Sequence, residues 1–231
     1  MKGWATWMVA SLLLLCLVMA GLLYGFYLYG AWGISAVPEP STYRAPIEIR
    51  RQFIALEATG VDSLPGLNPL TYWVTFCCAS NQVTAQHELR LLGMAAGSGP
   101  PHLLHGSFQR HAARIAGSVM VSRSWSLQQV IDTVLANAYF GRGTHGIEAA
   151  ARTYYGLPAN RLDAEQSLAL VAIIKGPEFY HPDCHRERFD QRYLQAAALA
   201  GMSNDLAAPS RALTGWISAK CMPTSTAQDP T

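Results

Sequence analysis

Among the side chains whose chemistry could handle a proton or an anion are Glu57, Gln86, Arg110, His111 and Arg114. A carboxylate such as Glu57 can take a proton from a hydroxyl when it is held within hydrogen-bond reach of it. Arginine can pair with phosphate bidentately, so Arg110 and Arg114 are each able to meet an anion, and His111 adds an imidazole. Read without context, Glu57 is an exposed glutamate on an amphipathic helix, and residues 81–86 are a polar helix start. No cysteine or histidine spacing matches a zinc site, and a formal charge of +2 is too small to point to nucleic acid.

The elements that must carry these residues are mostly helical. Residues 47–56 read as a helix that leads to Glu57, with Phe53, Ile54 and Leu56 on its apolar side and Arg50, Arg51 and Gln52 interleaved. Residues 60–69 are rich in Gly and Pro and read as loop. Residues 72–78 are an apolar run that fits strand or helix equally, residues 83–94 fit a helix, and residues 95–101 break it. Ser126 with Gln129 and Asp163 with Gln166 carry the spacing of a capping box, so each opens a helix. Residues 147–155 form a helix stopped by Gly156-Leu157-Pro158, and residues 185–200 form another closed by Gly201. Residues 222–231 are small, polar and expected to be disordered.

The N-terminal region is different in kind. No residue between Trp4 and Trp32 is charged, and about twenty apolar residues suffice to cross a ~30 Å hydrocarbon core. Tyr24, Phe26, Tyr27, Tyr29 and Trp32 would form an aromatic belt at the far interface. A cleaved signal peptide is the rival, because Ser35-Ala36 is a usable cut site, but the run exceeds the usual apolar length of such peptides. Lys2 ahead of the span puts the N-terminus in the cytoplasm by the positive-inside bias. Residues 37 onward would then lie in the periplasm, anchored in the inner membrane by a single pass. Of the five cysteines, Cys16 is an apolar filler within the span, and Cys77 and Cys78 are neighbours whose bridging would be strained. Cys184 with Cys221 is the plausible pair in an oxidising compartment.

The most telling stretch is Tyr139-Phe-Gly-Arg-Gly-Thr-His-Gly-Ile-Glu-Ala-Ala-Ala-Arg-Thr-Tyr-Tyr-Gly-Leu-Pro158. It reads as a helix end, a glycine hinge and a second helix, with Gly141, Gly143 and Gly146 supplying positive φ and close backbone approach. This segment resembles the one carried by family 51 glycosyltransferases, the peptidoglycan transglycosylases. The likeness continues through Leu162-Asp-Ala-Glu-Gln and Val171-Ala-Ile-Ile-Lys-Gly-Pro to His181-Pro182. The resemblance implies a mainly α, lysozyme-like transglycosylase domain over residues 37–221, preceded by one transmembrane helix within residues 1–36, with a smaller lobe near the membrane. It also implies an inverting glycosyltransferase that acts on lipid-linked disaccharide.

The family's site residues carry over only in part. The resemblance implies that Glu57 is the catalytic base, yet Ala58, Val61 and Leu64 stand where the family has Asp, Phe and His. Of the polar run that lines the sugar and phosphate path, Thr84 and Gln86 are kept. Arg110 keeps the first cation of the Arg-Lys-x-x-Glu motif, His111 replaces its Lys, and Arg114 replaces its carboxylate, inverting the local charge. Val134-Leu135-Ala136 replaces Tyr-Leu-Asn. By the same likeness Gln86, Arg110, His111 and Arg114 are the substrate-binding residues, a divalent cation is the cofactor the family often uses, and no metal ligand is assigned. Arg142 and Arg152 are equally readable as solvated charges, Glu148 and Glu165 as helix-start acids, and Arg192 as a structural arginine. Three readings follow. One is a peptidoglycan transglycosylase of reduced activity. Another is a noncatalytic relative that binds lipid-linked glycan or a cell-envelope partner. The third is a glycan-cleaving enzyme using Glu57 as a lone acid.

Overall fold

The computed structural model describes residues 3–34, 39–97, 106–202 and 208–218, and among them there is no β-strand. The helices are α1 (Gly3–Trp32), α2 (Ile47–Glu57), α3 (Pro69–Cys78), α4 (Gln82–Ala96), α5 (Ser107–Ser124), α6 (Leu127–Asn137), α7 (Ile147–Tyr155), α8 (Ala164–Ile173), α9 (Pro177–Tyr180), α10 (Arg186–Leu199) and α11 (Pro209–Ala212). The ambiguous run at residues 72–78 is helical because Asn68 caps α3 in a full capping box with Thr71, and Pro69 occupies the first turn. The boxes expected at Ser126 and Asp163 are both present. The expected tail lies outside the described residues.

The chain divides into two compact units. The first holds residues 1–43 and 57–134. In it α4 and α5 pack together, with Arg114 and Ser118 of α5 beside Gly93 of α4. Gly117, in the middle of α5, leaves room for Ala96, which a Cβ there would meet at 2.9 Å. The expected apolar span is a continuous helix, long and apolar enough to cross a membrane, with its large side chains exposed from Trp4 to Leu22. Its last turns pack against other helices of the unit. Gly30 lies so close to Ala112 of α5 that a side chain there would collide with the Ala112 carbonyl oxygen. Phe26 meets Phe108 edge to face at 5.2 Å and Trp73 of α3 at 6.1 Å. The end of α1 is therefore part of the packing of this unit.

The second unit holds residues 44–56 and 135–231. Its centre is α8, apolar all round and buried from Ser167 to Ile173, as expected of a helix covered on every side. Around it pack α7, α9, α10 and α11, with Phe189 and Tyr193 of α10 fully buried. Gln52 of α2 donates to the Ala164 carbonyl at 2.9 Å and accepts from the Ser167 hydroxyl at 3.0 Å, which ties α2 to the start of α8.

The two cysteine expectations fare differently. Cys77 and Cys78, the neighbours whose bridging was expected to be strained, form a vicinal disulfide at the end of α3. Cys184 is disulfide-bonded, and Cys221 lies outside the described residues.

Candidate active site

All five candidate residues lie in the first unit, and α4 organises them. At 3.6 residues per turn, positions 86, 90, 93 and 97 fall within about 60° of one another, so they form one stripe. Gln86 opens the stripe and is exposed. Arg90, one turn later, places Nη2 2.7 Å from Oε2 of Glu57. Gly93 and Gly97 complete the stripe, and Arg114 of α5 runs across them. A Cβ at Gly93 would stand 3.6 Å from Arg114 Cδ, and one at Gly97 would stand 3.9 Å from Arg114 Nε. The two glycines thus give the long arginine side chain a flat bed on which its stem can lie.

Glu57 is not the exposed residue that the amphipathic pattern of its helix suggests. It is 2% exposed, at the C-terminal end of α2, and sits among buried Leu56, Ala58 and Val61. A buried carboxylate requires a compensating charge, and Arg90 supplies it. The loop that follows is fastened to α4 as well: His87 Nδ1 is 3.0 Å from the Thr59 carbonyl oxygen, and Gly60, at φ +80°, passes beside the Thr84 hydroxyl. Gly60 has the left-handed backbone that lets residues 57–61 turn beside α4.

Arg110, His111 and Arg114 are all exposed on α5, within about 100° of arc. The helix displays them as a set and buries Ala112 and Ala113 on the other side. Arg114 also acts on Tyr72 of α3, whose phenol is pushed up by burial and pulled back by the Arg114 charge. Tyr72 and Arg90 are the neighbours of the site that sequence reasoning missed. The signal for Arg90 was its i, i+4 spacing from Gln86, and for Tyr72 there was none.

Among the described residues no three His, Cys, Asp or Glu side chains cluster to hold a metal ion, and Arg114 brings positive charge to the position where the family has its carboxylate.

The glycine segment lies in the second unit and is a rigid scaffold. Gly141, Gly143 and Gly146 all have positive φ, as does Arg142 between them at 54°. The loop is pinned from inside: the Tyr154 hydroxyl donates to the Phe140 carbonyl at 2.7 Å, and Tyr154 stacks on Trp216 at 4.5 Å. Burial pushes the Tyr154 phenol up to about 12. Arg142 is not a solvated charge, because it pairs with Asp183 and lies over the Tyr154 ring. Arg152 is one, largely exposed and paired with Glu148 a turn away. Glu148 begins α7 and accepts from the Ala159 backbone N–H, Glu165 begins α8, and Arg192 is buried against Tyr180 and Gln195. All three have the structural roles expected of them.

Residues 101–202 match the family described as Transglycosylase. Over 98 residues the chain is 31% identical to a biosynthetic peptidoglycan transglycosylase of Acinetobacter baumannii, covering 42% of this chain and 43% of that one. It is 36% identical over 74 residues to the biosynthetic peptidoglycan transglycosylase of Azoarcus sp., 32% of each chain. It is also 35% identical over 74 residues to penicillin-binding protein 2a of Streptococcus pneumoniae, 32% of this chain and 10% of that protein. Residues 101–202, less than half of the chain, are thus similar to peptidoglycan transglycosylases. The similarity spans less than half the length of these proteins. The family match includes Arg110, His111 and Arg114, while Glu57 and Gln86 lie ahead of it.

Proposed function

We propose that this protein is a membrane-anchored peptidoglycan glycosyltransferase that acts on lipid-linked disaccharide at the periplasmic face of the inner membrane. The observation that carries this reading is the convergence on one face of α4 of Glu57, through Arg90, and of Arg114, through Gly93 and Gly97. The family match supports the reaction class, and the packing of Gly30 against Ala112 supports an anchor retained as part of the folded protein.

In the proposed reaction an acceptor sugar hydroxyl attacks the anomeric carbon of the lipid-linked donor from the face opposite the diphosphate. The new C–O bond forms, the hydroxyl proton passes to Glu57, and the bond to the diphosphate oxygen breaks with its electron pair left on the diphosphate. Arg110, His111 and Arg114 stabilise the charge that develops there, and Gln86 hydrogen-bonds along the sugar path.

A second reading, a noncatalytic relative that binds the lipid-linked glycan, is favoured by one observation: Glu57 is buried and already paired with a guanidinium. Incubating the purified full chain in detergent with lipid-linked disaccharide separates the two. Glycan polymer supports the first reading, and binding of the lipid without polymer supports the second.

A further inference from the structure

Arg90 has two faces. One is turned to Glu57, at 2.7 Å from a side chain that is only 1% exposed, while the arginine itself is 35% exposed. A guanidinium has five N–H donors in a planar fork, so one that is buried on one edge and open on another can exchange partners without leaving its helix. The oxygen it contacts is Oε2 of Glu57, an oxygen that a base would use to accept a proton. Arg90 also stands between Gln86 and the bed of Arg114 on the α4 stripe, within the cationic set that would meet a diphosphate. Diphosphate oxygens compete well for guanidinium because they accept in the same bidentate geometry as a carboxylate and carry more charge.

We propose that Arg90 is a positioning residue that acts as a substrate-responsive latch on Glu57. In the empty site its guanidinium holds the carboxylate. When a lipid-linked diphosphate arrives, the guanidinium turns to it and Glu57 is released to accept the acceptor proton. The proposal rests on the transglycosylase reading for the proton transfer, but the exchange of partners can be observed without turnover. It makes the buried pair a device that keeps the base idle until the donor is seated.

The test uses the full chain in detergent with isotope-labelled arginine, following the guanidinium signals by NMR and assigning Arg90 by its loss in Arg90→Lys. Farnesyl diphosphate is the probe. The latch predicts that Glu57→Gln and saturating farnesyl diphosphate each move the Arg90 signal, and that the probe no longer moves it in Glu57→Gln to the same extent. In the polymerisation assay Arg90→Gln should raise KM for the donor about tenfold while kcat holds or rises, and Arg90→Lys should recover most of the affinity. A purely structural ion pair would instead lower kcat and the thermal midpoint at unchanged KM. An Arg90 signal that stays in place while farnesyl diphosphate binds, or no binding of the probe at all, overturns the latch. Absence of polymer with a probe-sensitive Arg90 signal overturns the enzyme reading and leaves the exchange of partners standing.

Discussion

Gly30 of the apolar N-terminal helix and Ala112 of α5 meet backbone to backbone, with no room for a side chain between them. Two residues before Ala112 is Arg110, and two after it is Arg114, so the contact registers the apolar helix against the helix that displays the proposed diphosphate-binding set. Gly30→Val should force the two helices apart and cost about 1–3 kcal/mol, as overpacking typically does. Gly21→Val, which would meet nothing within 4 Å, should cost nothing comparable. Thermal unfolding of both variants in detergent measures the difference.

Gly146 is a stricter case. Its φ is +84°, and a Cβ would collide with the Ala136 carbonyl oxygen. Gly146→Ala therefore combines a left-handed penalty of about 1–2 kcal/mol with a backbone clash, and it should destabilise the protein more than alanine at Gly143. Gly143 has similar φ and open space around it. Denaturant titration of the pair checks the order.

The stability of the second unit should depend on pH through His181. Burial, then the Arg142 charge, lowers its pKa below the ordinary histidine value of about 6.5. Above 6.5 the imidazole is neutral in both folded and unfolded chains. As pH falls below that value the unfolded chain takes up a proton that the folded chain refuses, so stability declines until the native imidazole also protonates. His181→Asn should remove this part of the acid-side loss, measured as the difference between the two proteins' unfolding free energies from pH 7.5 to 5.

Much of this architecture was legible because it rests on local rules. The capping boxes at Ser126 and Asp163 and the positive φ of Gly141, Gly143 and Gly146 follow from residue type and spacing within a few positions. The helix at α5 was harder to read. It has a mid-helix glycine and is held by alanines, and Gly117 makes sense only beside Ala96 on another helix. The pairing of Glu57 with Arg90 was not legible at all. An amphipathic pattern tells which face of α2 is polar, but whether a carboxylate at its end is covered depends on a helix that begins 25 residues later. The same limit hid Tyr72, whose link to Arg114 joins α3 to α5.

Arg114→Glu restores the charge that the family resemblance implies at this position. Arg114 is exposed on α5, so the fold should tolerate the change within about 0.5 kcal/mol. With Arg114 stabilising the departing diphosphate, polymerisation should fall by about 10²-fold or more, and a rate at or above that of the wild type would remove Arg114 from that role.

The most direct measurement compares polymerisation of lipid-linked disaccharide by the full chain and by Glu57→Gln at equal protein and detergent. With Glu57 as the base, the wild type makes glycan polymer and the variant is slower by about 10² to 10⁴-fold while still binding farnesyl diphosphate. Polymer formed equally fast by Glu57→Gln, or none formed by the wild type, would contradict it.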